Sequence, residues 1–243
     1  MRVPEGFRLT AAGSLVRCGY ESRLPDWVQR ARTAGESVGI GGRGGLARAP
    51  LDDGAEAFVR RYRHGGLLGT VLGEAYFGRP PRPWRELVAT EAARRAGVVA
   101  PEVLAAVVEP FDGAVFGVPY RGVLVTRGLE QRRTFREALL EASSGEERLR
   151  WLAVAAAAVR QLHTCGVRHP DLNVTNLLVG DSLDEKVAVI DFDRAVAGTS
   201  PVGWVGRRMA HRRLSRSIGK LGLPGLSRAQ ARRELAVVLE AGR

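Results

Sequence analysis

The segment His169-Pro170-Asp171-Leu172-Asn173-Val174-Thr175-Asn176, followed by Ile190-Asp191-Phe192-Asp193, contains the residue types that phosphoryl transfer to a hydroxyl requires. Such a transfer needs a carboxylate that orients the attacking hydroxyl and accepts its proton, and oxygen ligands that hold magnesium against the nucleotide phosphates. Asp171 has the chemistry of the base, and Asn176 and Asp191 have the chemistry of the metal ligands. The bland alternative is that Asp171 and Asn173 shape a turn while Asn176 and Asp191 cap strands, as short polar side chains often do.

The surrounding elements favour the catalytic reading. An Asn five residues beyond an Asp is the spacing of a kinase catalytic loop. Leu177-Leu178-Val179 and Val187 to Ile190 read as two short apolar strands, whose pairing would bring Asp191 beside Asn176. Upstream, Leu149, Leu152, Ala156, Val159 and His163 recur at helical spacing over 146–164, with Gly166 as terminator. A shorter helix is expected over 134–142. Residues 204–241 alternate Arg with apolar residues in helical fashion. His163 and His169 are expected to be structural, and His64 and His211 to lie on the surface.

The first half has a different texture. The first thirty residues are compatible with β-hairpins, five glycines fall within 39–45, and 55–62 has strand character. A glycine loop feeding a strand is one reading of this stretch, and a plain flexible loop is the other. A helix is expected over 83–96, since Pro83 suits a first turn, Trp84, Leu87, Val88 and Ala92 share a stripe, and Gly97 can end it. Strands are expected over 98–108 and 115–126. The division that follows is an N-lobe over 1–126 and a C-lobe over 127–243.

A length of 243 residues suits one compact two-lobed unit, and 45% apolar with 26% charged residues lies near globular averages. The net charge of +11 calls for an anionic partner. From Pro201 onward ten Arg and Lys face only Glu234 and Glu240, so the tail carries most of the surplus. Cys18 and Cys165 are isolated thiols, without a disulfide framework or metal-ligand spacing, as in a reducing compartment. Met1-Arg2-Val3-Pro4-Glu5 lacks the apolar segment of a secretory signal. The longest helical apolar run, 151–159, falls short of the roughly 20 residues that cross a bilayer. A soluble or peripheral protein is expected.

Taken together, Gly42-Arg43-Gly44-Gly45, Arg61-Tyr62-Arg63-His64-Gly65-Gly66-Leu67, the helix from Arg85-Glu86 to Gly97-Val98, the His169 to Asn176 segment and Ile190-Asp191-Phe192-Asp193-Arg194 resemble the lipopolysaccharide core kinase family, and within it the 3-deoxy-D-manno-octulosonic acid (Kdo) kinases. The resemblance covers most of the chain. It implies an α+β, bilobal protein-kinase-like fold, with an antiparallel sheet and one helix in the N-lobe and a mainly helical C-lobe. It also implies transfer of the ATP γ-phosphate to the 4-hydroxyl of a Kdo residue attached to lipid A, on the cytoplasmic face of a bacterial inner membrane. By the same carry-over Asp171 is the base, Asn176 and Asp191 bind Mg2+, and Gly41, Gly42, Gly44 and Gly45 cover the nucleotide phosphates. Protein kinases pair a strand Lys with a helix Glu. Here the strand offers Arg61, with Arg60 as alternate because register is open, and the helix offers Glu86, with Glu91 as fallback. The basic cluster Arg207, Arg208, Arg212, Arg213, Arg216 and Lys220, with Trp204 and Met209, is read as contacting the anionic inner membrane, with nucleic acid the less favoured partner. A heptose, small-molecule or protein kinase, and a pseudokinase scaffold binding membrane through its Arg-rich tail, are the competing readings.

Overall fold

The structure, a computed structural model, describes residues 3–33, 46–63, 73–115, 118–224 and 226–240. The chain divides into two compact units, residues 1–88 with 102–128 and residues 89–101 with 129–243.

The first unit is built on one antiparallel sheet. Strands β1 (Phe7–Leu9), β2 (Leu15–Arg17), β3 (Leu46–Pro50), β4 (Glu56–Arg61), β5 (Val103–Val115) and β6 (Val118–Arg127) lie in the order β1-β2-β5-β6-β4-β3. Both faces of this sheet are covered by apolar packing. On one, Val16, Val59, Leu104, Val123 and Val125 pack with Trp27 and Ala31. On the other, Phe7, Leu15, Leu87, Val108 and Leu124 form a second cluster.

Trp27 and Ala31 belong to a helix, α1 (Leu24–Thr33), that corrects the expectation of hairpins throughout the first thirty residues. Only β1 and β2 form a hairpin. Beyond it Leu24, Trp27, Val28 and Ala31 stand at i, i+3, i+4 and i+7, and burial of that stripe outweighs the weak helical propensity around Pro25. The single helix expected beside the sheet is therefore joined by a second. The expected helix over 83–96 forms as α2 (Arg82–Arg95), which starts in the first unit's sequence and ends in the second's. Gly97, at φ 78°, ends it, donating from its N–H to the Arg94 carbonyl at 2.9 Å, while the Val98 N–H reaches the Ala93 carbonyl at 3.1 Å.

In the second unit β7 (Arg133–Thr134) precedes α3 (Phe135–Glu141), whose start is fixed by a capping box between Thr134 and Glu137. Helix α4 (Gly145–Thr164) is capped by Ser144 and buries Trp151, Leu152, Ala155, Ala156, Val159, Leu162 and His163. Next come β8 (Val167–Arg168), β9 (Leu177–Val179), β10 (Ala188–Val189) and β11 (Val196–Ala197). β9 lies between β7 and β10, and β8 pairs with β11. The apolar run over 187–190 gives only a two-residue strand. The helical reading of 204–241 resolves into α5 (Trp204–Gly219) and α6 (Arg228–Glu240), separated by a turn containing Pro224.

His163 is 3% exposed, neither ring nitrogen has a hydrogen-bond partner, and its ring lies 6.2 Å from that of His211. His211 is thus half-buried rather than a surface residue. Burial, reinforced by the nearby charges of His211, Arg207 and His169, pushes the His163 pKa down to about 4. Gly166 ends α4 at φ 79°, and a Cβ there would lie 2.5 Å from the Ser200 carbonyl oxygen and 2.8 Å from that of Gly198.

Two stability outcomes follow. Gly166→Ala should cost at least about 2 kcal/mol in urea denaturation, because it combines left-handed backbone strain with a clash against backbone atoms that cannot rotate away. His163 takes up a proton in the unfolded chain near pH 6.5 but in the folded one only near pH 4. Stability should therefore be retained above pH 6.5 and fall as pH drops towards 4, by roughly 3 kcal/mol from this residue. His163→Leu should flatten that part of the pH profile, and an unchanged slope would exclude the histidine as its source.

Candidate active site

In the first unit the relevant pair is a strand cation and a helix anion. Alternation along β4 places Ala57, Val59 and Arg61 on the face covered by α1, because Ala57 and Val59 belong to the cluster with Trp27. Arg60 and Tyr62 point the other way, and both reach the carboxylate of Glu86 on α2: the Arg60 guanidinium donates to one oxygen and the Tyr62 hydroxyl to the other. Glu86 is 2% exposed, so these two donors satisfy a carboxylate that water barely reaches.

Arg61, the favoured strand cation in the sequence reading, instead pairs with Glu74 at 2.5 Å. Glu74 also takes Arg63 at 3.0 Å and Arg121 at 3.6 Å. Burial moves the Arg61 pKa down, against the pull of Glu74 and Glu109. Glu91, the fallback helix anion, lies 3.9 Å from Arg94. Gly41, Gly42, Gly44 and Gly45 lie outside the described residues, as do His64, Gly65 and Gly66.

In the second unit the 169–193 segment is held by hydrogen bonds to its own backbone. The Asn176 side-chain nitrogen donates to the Asp171 carbonyl at 2.9 Å, as does that of Asn173. The Asn173 side-chain oxygen accepts from the Thr175 N–H at 2.8 Å and from the Thr175 hydroxyl at 2.6 Å. The β9–β10 ladder pairs Leu177 with Val189, and one step further the Ile190 N–H donates to the Asn176 carbonyl at 3.0 Å. Asp191 follows at once, at φ 62°, in a region that non-glycine residues rarely occupy. His169 clamps the turn from behind: its Nε2 lies 3.1 Å from the Ile190 carbonyl oxygen, and its ring meets that of Phe192 edge-on at 5.3 Å. Burial drives the His169 pKa down, offset in part by that backbone bond and by the charges of Asp191 and Asp171. The histidine is thus a neutral structural clamp.

This arrangement brings Asp171, Asn176 and Asp191 into one neighbourhood. Because the Asn176 amide nitrogen is committed to the Asp171 carbonyl, its oxygen is the end turned away from that carbonyl and suited to a cation. Among the described residues no group of three or more His, Cys, Asp or Glu side chains forms a metal cage. Asn176 and Asp191 fit magnesium, which characteristically keeps phosphate and water oxygens among its ligands. The second unit also has a cleft of about 600 Å3 between α4 and the 183–187 turn, but none of these three residues lines it.

The arginines of α5, which the sequence groups as one basic cluster, have separate fates. Arg207 donates from Nε to the Val202 carbonyl at 2.7 Å. Arg213 reaches Asp171, its Nη1 3.3 Å from Oδ1, and Arg194 approaches the other carboxylate oxygen at 3.8 Å. The pattern of the sequence offers no signal for the Arg213 contact, since Arg213 is 42 residues from Asp171. Arg208, Arg212, Arg216 and Lys220 remain exposed beside Trp204, Val205 and Met209, which are 67%, 53% and 48% exposed.

Comparison with known proteins gives a consistent result. Residues 27–236 match the Lipopolysaccharide kinase (Kdo/WaaP) family. A 3-deoxy-D-manno-octulosonic acid kinase of Pasteurella multocida is 31% identical over 181 residues, 73% of this chain and 71% of that protein. The same-named protein of Vibrio cholerae is 29% identical over 171 residues, 69% of this chain and 67% of that protein. Among solved structures, one of WaaP in complex with acyl carrier protein aligns over 92% of this chain and 88% of its own, with a TM-score of 0.60 and 19% sequence identity. The fold is therefore kinase-like.

Proposed function

This chain belongs to the lipopolysaccharide kinase (Kdo/WaaP) family, and we propose that it transfers the γ-phosphate of ATP to the 4-hydroxyl of a Kdo sugar linked to lipid A. The observation that carries this reading is the mutual support of Asp171, Asn176 and Ile190-Asp191 in a single hydrogen-bonded segment. Asp171 orients the acceptor hydroxyl and accepts its proton as the oxygen bonds to the γ-phosphorus, while the bond to the β-phosphate oxygen breaks and ADP departs. Asn176 and Asp191 would hold magnesium, which neutralises charge on the phosphates. In the first unit Arg60, oriented by Glu86, takes the part of the strand lysine. It keeps the positive charge and presents it as a planar fork.

The acceptor is an amphiphile, and the solvent face of α5 suits the surface on which it resides. Trp204, Val205 and Met209 alternate with Arg208, Arg212, Arg216 and Lys220, and the helix contains no acidic residue. Basic residues near an anionic bilayer contribute about 1 kcal/mol each, and tryptophan favours the interface. No helix among the described residues is long and apolar enough to cross a membrane. Peripheral attachment at the cytoplasmic face of the inner membrane follows from this reading.

Asp171→Ala should lower phosphate transfer from labelled ATP to Kdo-lipid A by about 10²–10⁴-fold while the circular dichroism spectrum stays unchanged. Undiminished transfer would refute the assignment of Asp171 as the base. In the same assay Arg60→Ala should cost about a hundredfold, whereas Arg61→Ala should leave turnover of the folded enzyme within a few-fold of wild type. An opposite ranking would return the role to Arg61. Reversing Arg208, Arg212 and Arg216 to Glu should weaken binding to phosphatidylglycerol vesicles, most strongly at low salt, where screening is least. Vesicle binding that ignores both salt and these substitutions would remove α5 from the membrane.

A further inference from the structure

The catalytic loop delivers Asp171 to a place already occupied by two guanidinium groups. Arg213 stands 3.3 Å from one carboxylate oxygen and Arg194 stands 3.8 Å from the other. Neither belongs to the loop itself: Arg194 follows the Asp191 turn and Arg213 lies on α5.

These contacts are not what holds the loop together. The side chains of Asp171, Arg213 and Arg194 are 44%, 41% and 72% exposed, and ion pairs so accessible to water contribute little to stability. The loop is fixed by Asn176, Asn173 and His169 acting on backbone atoms. Against that small gain stands a cost to the reaction, since an oxygen that accepts from a guanidinium is less available to a hydroxyl proton. A pair that adds little stability and obstructs a base is well placed to be exchanged. An incoming oxyanion could take over Arg213 at little net cost, because a guanidinium binds a second carboxylate as well as the first and can do so in bidentate fashion.

We propose that Arg213, assisted by Arg194, forms an oxyanion subsite that binds the carboxylate of an acidic sugar acceptor, and that occupation of this subsite releases Asp171 to act as base. Recognition and activation are then one event. A neutral sugar presenting an equally good hydroxyl leaves Asp171 engaged, so the subsite selects for the acid. The inference rests on the reading of the chain as a sugar kinase, and it goes beyond that reading by assigning acceptor choice to α5.

The test compares Kdo-lipid A with its Kdo methyl ester and with a preparation lacking the lipid A phosphates, using wild type, Arg213→Ala and Arg213→Lys. In wild type, esterification should lower acceptor kcat/KM at least about tenfold, the worth of a hydrogen bond to a charged group. Arg213→Ala should use acid and ester equally, with acceptor KM raised and ATP KM unchanged, and Arg213→Lys should fall between. An ester penalty that persists undiminished in Arg213→Ala, or an ATP KM that rises in step with the acceptor KM, would overturn the proposal. A loss that follows removal of the phosphates rather than esterification would overturn the carboxylate assignment. Calorimetric titration of free Kdo and its methyl ester requires no turnover and separates the two levels of argument. Preference for the acid that disappears in Arg213→Ala upholds the subsite even where transfer to Kdo-lipid A is absent and the activity itself is refuted. No preference in wild type rejects the subsite.

Discussion

The hydrogen bond from the side-chain amide of Asn176 is the one on which the 169–193 segment depends. The amide nitrogen ties the residue to the Asp171 carbonyl five positions earlier, which leaves its oxygen on the side away from that carbonyl. Asn176 is 8% exposed, so loss of this bond would leave a polar group largely without water to replace it. The same residue's backbone carbonyl receives Ile190 N–H, which fixes where the Asp191 turn begins. Left-handed backbone at a non-glycine residue costs of order 1–3 kcal/mol, and here the surroundings over-determine it. Phe192 on one side of Asp191 is 1% exposed within the core, and His169 holds the Ile190 carbonyl on the other.

A chain with 37 Lys and Arg against 26 Asp and Glu must decide where each cation goes. In the first unit acids act as hubs. Glu74 collects three arginines, and Glu102 bridges Arg17 and Arg127. Arg127 also donates to Asp53, and that guanidinium holds the carboxyl below the ordinary range. Helix α5 has no acid of its own, so its arginines find a backbone carbonyl, the Asp171 carboxylate, or solvent. The long arginine arm permits this division, because residues on one helix can reach targets on different sides of it.

The local path of 169–193 was legible because it is short in sequence: a five-residue step, two short apolar runs and a turn bring Asn176 back to the Asp171 carbonyl and pair β9 with β10. α2 and α4 were legible through periodicity joined to the terminators Gly97 and Gly166, whereas the caps at Thr134 and Ser144 were found only in the structure. α1 carried the same signal at Leu24, Trp27, Val28 and Ala31, but Pro25 and nearby charges masked it. The choice between Arg60 and Arg61 could not be read from the sequence, because Ala57, Phe58 and Val59 are consecutively apolar in a strand whose sheet is packed on both faces. Alternation assigns a face only when one face is polar. Arg213 was visible merely as one of several α5 arginines, since its distinction is a contact across 42 residues.

The Glu86 carboxylate shows how a buried anion is satisfied by an arginine at the strand position. A buried carboxylate with one donor would remain partly unsatisfied, and here Tyr62 supplies a hydroxyl to the oxygen that Arg60 does not take. Arg60 and Tyr62 share a strand face by the two-residue alternation, so the tyrosine is placed by the same register that places the arginine. The Arg60 guanidinium also lies 5.2 Å from the centre of the Tyr62 ring, which attracts it electrostatically. The fork is thus held by an anion and an aromatic face together, and its side chain is still 31% exposed. A lysine, with a single compact charge and no planar face to lay on the ring, would keep the ion pair but lose the stacking that orients it.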